Sequence, residues 1–287
     1  MPAGMSANPT LSVARTAPVS LPSLLAQRRP LVMGVLNVTP DTFSDGGAFF
    51  DPRQAAIQAQ RMADEGADII DIGAESTRPY GGQIPVSAEE EIRRLAPVLP
   101  AATTLGKPVS IDSMKATVAA WALDNGAAIV NDVWGLQRDP DMAPLVAERG
   151  VPVIVMHNRD KADDSIDIMA DIHDFFRRSL DIADKAGVAR GQIVLDPGIG
   201  FGKTPEQSIL VMGRLKELQR HGLPILVGAS RKRFIASVVP SEPSQRIGGS
   251  IASHLIAAAD GAAIIRTHDV AETVQALRVT QAIRGAS

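Results

Sequence analysis

The sequence predicts a (β/α)8 barrel built as a single domain. Three observations carry that expectation. Eight short apolar runs recur from Leu31 onward, helical patterns fill the gaps between them, and polar side chains gather at the run ends. The runs are continuously apolar rather than alternating, as strands buried on both faces of a parallel sheet require. Eight β-then-α units within about 250 residues suit a closed barrel. A doubly wound open sheet is the alternative architecture.

Residues 1–30 hold Pro2, Pro9, Pro18 and Pro22 among Ser, Thr and Ala, with Arg15, Arg28 and Arg29 and no acidic residue. Prolines break a long amphipathic helix, and no unbroken apolar core marks a secretory signal. A disordered leader is expected over 1–30, and a catalytic domain over 31–287. The predicted strands are Leu31–Leu36, Asp68–Ile72, Pro108–Ile111, Ala127–Val130, Pro152–Met156, Gln192–Leu195, Pro224–Val227 and Ala262–Ile265. Asp51-Pro52 opens a helix over Arg53–Glu65 that Gly66 ends. Ser87 and Glu90 have the spacing of a capping box opening a second helix. Glycines 106, 126, 150, 187, 222 and 261 stand just before a run, where a helix stop favours the left-handed region. The longest helix is expected over Asp167–Ala186.

The chain has 287 residues, 45% hydrophobic and 21% charged, with a net charge of -3. No run of like charges points to nucleic acid or an anionic membrane. There is no cysteine, which excludes disulfides and Cys-ligated metal and fits a reducing, cytoplasmic setting. The apolar segment Leu255–Ile265 is interrupted by Asp260 and Gly261, too short to span a bilayer.

In a barrel the carboxyl ends of the strands form the active site. Those positions hold Asn37, Asp71, Asp112, Asn131, His157, Asp196, Ser230 and Arg266. Strand-end capping accounts for some of them, yet so much polar convergence exceeds structural need. The first loop, Asn37 to Gly47, carries Asp41 and Asp45 beside an asparagine whose oxygen suits a hard cation. Arg78, held by Pro79 after the second strand, is either a solvated charge or a fork for phosphate or carboxylate. Asp196-Pro-Gly-Ile-Gly-Phe-Gly-Lys203 fails the phosphate-loop spacing, since Pro197 stands where glycine is needed. Its glycines, Gly202 among them, suit a backbone that approaches a flat ligand. Ser230-Arg231-Lys232 and Arg266-Thr267-His268-Asp269 follow the last two strands, where barrels often hold phosphate. For His268-Asp269, capping of the last helix is an equal reading. Cations at a helix start, such as Lys232, oppose the helix dipole and hint at a bound anion.

Seven motifs in this order resemble the dihydropteroate synthases: NVTPDTFSDGG, ESTRP, IDSMK, Asn131-Asp132, DPGIGFGKT, SRK and RTHDV. The similarity runs from about Leu31 to the C-terminal helix. It implies a transferase that joins a pterin diphosphate to p-aminobenzoate. Asp112, Asn131, Asp196 and Lys232 would hold the pterin, with Asp196 on its amino-pyrimidinone edge. Asn37 would ligate Mg2+ on the diphosphate, with Arg78, Arg266 and His268 on its oxygens. Thr77, Pro79, Phe201 and Lys232 would shape the p-aminobenzoate pocket, and Asp41 would order the site. A methyltetrahydrofolate:corrinoid methyltransferase would share the barrel but has no need of the SRK and RTHDV motifs. A homodimer through apolar outer helices is expected of such barrels.

Overall fold

The computed structural model describes residues 20–27, 29–39, 52–75 and 86–286. The elements run α1 (Leu21–Leu25), β1 (Leu31–Asn37), α2 (Pro52–Asp64), β2 (Ile69–Gly73), α3 (Ala88–Leu95), α4 (Leu99–Thr103) and β3 (Val109–Asp112). There follow α5 (Ala116–Asp124), β4 (Ile129–Asp132), α6 (Met142–Arg149), β5 (Val153–Met156), α7 (Ile168–Ala186) and β6 (Ile193–Asp196). The chain ends with α8 (Pro205–Gly213), β7 (Leu226–Val227), α9 (Arg233–Val238), α10 (Ile247–Ala259), β8 (Ile264–Thr267) and α11 (Val270–Gly285).

All strand pairs are parallel, in the order β6-β5-β4-β3-β2-β1-β8-β7. A parallel bridge between Leu195 and Ile225, with Leu195 N–H donating to Pro224 O at 2.9 Å, joins β6 to the β7 side. The sheet thus closes, and the open-sheet alternative falls. Each predicted run became a strand, but most strands end one or two residues later. Asp112, Asn131, Asp196 and Arg266 keep their backbone in the ladder, so the polar end residue belongs to the strand.

Side chains two apart on a strand share a face. Leu31, Met33, Ile69, Ile129, Ile154, Val194, Leu226 and Ile264 pack as one inner cluster. Two residues beyond Ile69, Ile129, Val194 and Ile264 stand Asp71, Asn131, Asp196 and Arg266. The same inward face therefore passes from hydrocarbon to charge within one residue pair. A second, larger cluster fills the layer between barrel and helices, including Phe176, Leu95, Leu99 and Ile111.

The expectation of a disordered leader to residue 30 is corrected at its end. Helix α1 puts Leu21, 2% exposed, into the inner cluster. Proline at the first turn permits this short helix, because the missing N–H would be unpaired anyway. Arg29 forks onto Asp68 (Nη1–Oδ2 2.7 Å, Nη2–Oδ1 2.9 Å), whose Oδ2 also accepts Val32 N–H. The second predicted helix is α3, and Ser87 Oγ accepts Glu90 N–H at 3.2 Å. The reciprocal half of its capping box is not made. Glu90 instead holds Arg93 and Arg94, whose guanidinium charge outcompetes a neutral N–H. A full capping box forms at α8, between Thr204 and Gln207. All six predicted stop glycines adopt φ between 62° and 98°. Asp51, the expected cap of α2, lies outside the described residues.

Candidate active site at the carboxyl mouth of the barrel

The centre of the mouth is a network of strand-end side chains. Arg266 Nε donates to Asp71 Oδ2 and its Nη2 to Asp112 Oδ2, each at 2.7 Å. Asn131 Nδ2 donates to the same Asp71 oxygen at 3.1 Å. Three buried acceptors then remain without a partner among the described residues: Asp71 Oδ1, Asp112 Oδ1 and Asn131 Oδ1. A buried acceptor left unpaired costs about 1–3 kcal/mol. Asp112 and Asn131 line a cleft with Val133, Met156, Asp196, Gly198, Ile199, Phe201, Gly228, Lys232 and Arg266, and the fully buried Asp71 is bonded to Asn131 and Arg266 of its wall. The cleft is apolar on its walls and donor-seeking at its floor.

Charge in this cleft is poorly solvated. Burial raises Asp112 to about 7, against the pull of the Arg266 guanidinium. Burial likewise raises Asp196 to about 6, opposed by the Gly198 N–H (2.7 Å on Oδ1) and by Arg266, Lys232 and Lys203. Burial lowers Lys232 to about 8, and neighbouring Arg266 adds to the effect. Its Nζ lies 3.9 Å from the centroid of the Phe201 ring. Burial works against charge on Arg266 too, but Asp71 and Asp112 hold it protonated well above its ordinary value. Burial and the cations Arg266, Arg231 and Lys232 push His268 down to about 3, so the ring is neutral.

Most of the expected residues meet here. Asp112, Asn131, Asp196, Phe201, Lys232 and Arg266 line one cleft. His268 stands two residues beyond Arg266, its Nδ1 3.0 Å from Ser230 Oγ. Asn37 ends β1 half-buried, paired in register with Gly73 of β2. Asp41, Thr77, Arg78 and Pro79 lie outside the described residues. Two readings change. Arg231 is no solitary cation awaiting an anion: it forks onto Asp269, which leaves Asp269 making no side-chain cap on α11.

The glycine loop also departs from expectation. A Cβ on Gly198 would fall 2.0 Å from His157 O, and one on Gly202 2.5 Å from Arg159 Cβ. These glycines make room for the chain leaving β5, and Gly198 also lines the cleft. Gly200 and Gly202 line a second cavity of about 260 Å³ with Lys161, Lys203, Thr204, Ser208 and Arg233. Asp71 and Lys203 were the residues the motifs did not single out for a role. Asp71 carries the signal of a carboxylate two places beyond an inward isoleucine. Lys203 ends the Gly-x-Gly-x-Gly run and is 6% exposed, and its partners are fixed only by the fold.

The comparisons agree with this geometry. Residues 33–268 match the family described as pterin-binding enzyme. A dihydropteroate synthase of Bacillus subtilis is 43% identical over 91% of this chain and 92% of its own. A probable bifunctional folylpolyglutamate synthase/dihydropteroate synthase of Haloferax volcanii is 48% identical over 88% of this chain, which spans only 30% of that longer protein. The crystal structure of a dihydropteroate synthase from Clostridium difficile, in the presence of pteroic acid, superposes with a TM-score of 0.85. It is 49% identical and covers 89% of this chain and 97% of its own. The chain belongs to the pterin-binding enzymes, in their dihydropteroate synthase branch, transferases of folate biosynthesis.

Proposed function

We infer that the chain joins 6-hydroxymethyl-7,8-dihydropterin diphosphate to p-aminobenzoate, giving 7,8-dihydropteroate and diphosphate. The observation that carries this reading is the two unpaired acceptors Asp112 Oδ1 and Asn131 Oδ1 in the cleft that Asp196 also lines. A flat heterocycle rich in N–H groups satisfies them, and an amino-pyrimidinone offers two adjacent donors to one carboxylate. Asp196 takes that edge, Asp112 and Asn131 take the remaining ring donors, and Lys232 lies over the far side.

In the reaction the methylene C–O bond breaks and a C–N bond forms. Diphosphate leaves with the bonding electrons, and the amine then gives up a proton. The aryl amine is neutral at pH 7, so no strong base is required. The barrier lies in separating charge, and fixed charges lower it without reorganising. Asp71, Asp112 and Asp196 give the cleft an electron-rich floor that favours positive charge building on the pterin. Arg266, through the Nη1 that its two aspartate bonds leave over, and the neutral His268 ring receive the departing oxygens, together with Arg78. Ser230 Oγ accepts the His268 backbone N–H at 3.2 Å, which leaves its hydroxyl proton for Nδ1 and favours the tautomer with the ring proton on Nε2. Thr77, Pro79, Phe201 and Lys232 enclose the aryl amine, and Asp41 orders the first loop.

The amide oxygen of Asn37 suits Mg2+, a hard cation that keeps much of its shell as water and substrate phosphate and takes few protein ligands. No group of three or more His, Asp or Glu able to hold a metal occurs among the described residues. When bound, Mg2+ would neutralise charge on the leaving diphosphate.

No helix among the described residues is long and apolar enough to cross a membrane. The -3 charge and absent cysteine support a cytoplasmic enzyme that acts on small molecules. Exposed Ile209, Leu210, Val238, Val239, Ile256, Val279 and Ile283 all lie on or at the end of α8 to α11, helices that pack on one another. That apolar surface supports a homodimer, which sedimentation would test. The activity is tested by diphosphate release from the pterin substrate. Release is expected only with p-aminobenzoate and Mg2+ both present; release indifferent to p-aminobenzoate would sink the assignment.

A further inference from the structure

Between β6 and α8 the chain lies directly on the segment that leaves β5. Gly198 and Gly202 have φ of 64° and 53° and no room for a Cβ against His157 and Arg159. Lys203 closes this loop and turns its ammonium inward. It donates to Gly198 O at 2.9 Å, to Phe201 O at 3.1 Å and to His157 Nδ1 at 2.6 Å. Burial lowers Lys203 to about 7, and in its protonated form the ammonium has three protons, all of them engaged by these acceptors. None is left for a substrate, so Lys203 has no direct chemistry to offer.

The third acceptor fixes the state of its neighbour. His157 accepts at Nδ1 and so carries its own proton on Nε2, which points at Asp171 Oδ2 at 3.0 Å. Burial and the adjacent Lys203 charge keep the ring neutral, down to about 4. Asp171, on α7, also receives Arg159 Nη1 at 2.9 Å. The chain of contacts thus runs from α7 through the β5 end to the backbone of the β6 loop. That loop carries the Phe201 ring and the N–H that holds Asp196 at the end of β6, the two groups the proposed site places around its substrates. Asp196 is held by Gly198 N–H, and the Phe201 ring sits under Lys232.

We propose that Lys203, backed by His157 and Asp171, is the positioning residue that sets the Asp196 carboxylate and the Phe201 ring for the two substrates. Two of its three donors hold the carbonyls at both ends of the Gly198–Phe201 turn and the third reaches His157, so losing them frees both groups together. The inference rests on the dihydropteroate synthase reading of the same mouth. It differs in kind from that reading, because Lys203, His157 and Asp171 act through the loop.

The test compares Lys203→Met, His157→Leu, His157→Gln and the double variant Lys203→Met/His157→Leu. Pterin binding is read by fluorescence titration with 6-hydroxymethylpterin, and kcat and KM by diphosphate release. Lys203→Met and His157→Leu are each expected to weaken pterin binding and kcat/KM at least tenfold. His157→Gln, whose amide can accept from Lys203 and donate to Asp171, should return to within about threefold. The double variant should be no worse than either single one, since both cut one chain. Both singles within twofold of the parent would overturn the proposal. So would a damaged Lys203→Met beside a normal His157→Leu, because Lys203 would then act without its backing. Should Lys203→Met fail to fold, the two His157 variants decide. An inactive parent that still binds the pterin would count against the function and leave the titration arm intact.

Discussion

At the amino ends of the strands Ile69, Ile129, Val194 and Ile264 face one another inside the barrel, closed from below by Leu21. Two residues later on the same strands stand Asp71, Asn131, Asp196 and Arg266, and Asp71 Oδ1, Asn131 Oδ1 and the Oδ1 of Asp112 at the end of β3 are unpaired. The backbone does not change between the two layers, and only the side chains do. The lower layer is complete in itself: hydrocarbon packed on hydrocarbon, worth about 1.5–3 kcal/mol for each buried large side chain. The upper layer is complete only with a ligand. Its unpaired groups detract from folding, and a fitting substrate repairs them, so the stability forgone there reappears as binding and specificity.

The largest way to break this comparison is to remove Arg266. Arg266→Ala strands the Asp71 and Asp112 carboxylates in a buried site, where losing one partner costs roughly 3–5 kcal/mol. A large fall in Tm is expected, with kcat/KM for the pterin diphosphate lowered by about 10³ or more, on the order of one lost charge-stabilising donor. Arg266→Lys should recover part of the stability and little of the rate, because one ammonium lacks the planar fork that spans both carboxylates. If kcat/KM survived Arg266→Ala, the diphosphate role would be lost with it.

A second test separates function from stability at a single atom pair. Asp196 titrates near 6 in the folded chain, above the 3.8 of an ordinary aspartate. A raised acid pKa means the folded state is favoured by protonation. Stability therefore falls as pH rises from about 4 to about 6, by roughly 3 kcal/mol in all, and stays lowered above that. Asp196→Asn removes the titration. Relative to the parent, this variant should gain stability across that window while kcat/KM falls by about 10², since an amide cannot accept two adjacent N–H donors. A parallel pH dependence of Tm in parent and variant would show that Asp196 is not the buried charge described.

Smaller effects follow at Lys232, lowered to about 8. With Asp196 ionised above about 6 and Lys232 protonated below about 8, kcat/KM should be bell-shaped between those values. Lys232→Arg is expected to lower the plateau by about tenfold and abolish the alkaline limb, leaving the acid limb in place. An alkaline limb that persists at the same pH would assign it to another group.

The architecture and most of the site were legible because both depend on patterns that survive without coordinates. Continuous apolar runs marked the strands, and a carboxylate, amide or guanidinium at a strand end marked the mouth. Asp196 and Arg266 needed nothing more. Lys203 resisted because its meaning lies in three acceptors contributed by residues 157, 198 and 201, a meeting made only by the loop crossing. Arg231 misled for the complementary reason, as its charge is cancelled by Asp269, 38 residues on. The glycines of the same loop were read as making room for ligand, when the chain itself fills that room.

Helix α1 shows the same limit at the other end of the barrel, and yields the mildest functional test. Its composition reads as leader, since five helical residues with a proline carry almost no periodicity. Its deepest side chain is Leu21, inserted among the inner residues of the strands with Leu24 and Leu25 packed against the same cluster, and Leu21 N–H donates to Gln192 Oε1 at 3.3 Å. Leu21→Ala leaves a cavity under the barrel and should cost about 2–4 kcal/mol, within the range for buried leucines. Because the strand layers above it are packed independently of substrate, kcat and both KM values should stay within about twofold at 25 °C. The pair of outcomes matters more than either alone. A destabilised but kinetically normal Leu21→Ala, set beside an Asp196→Asn that is stable and impaired, would separate the sealed end from the working end by measurement. A Leu21→Ala variant with a tenfold loss in kcat/KM would mean that packing at the bottom governs the geometry of the mouth.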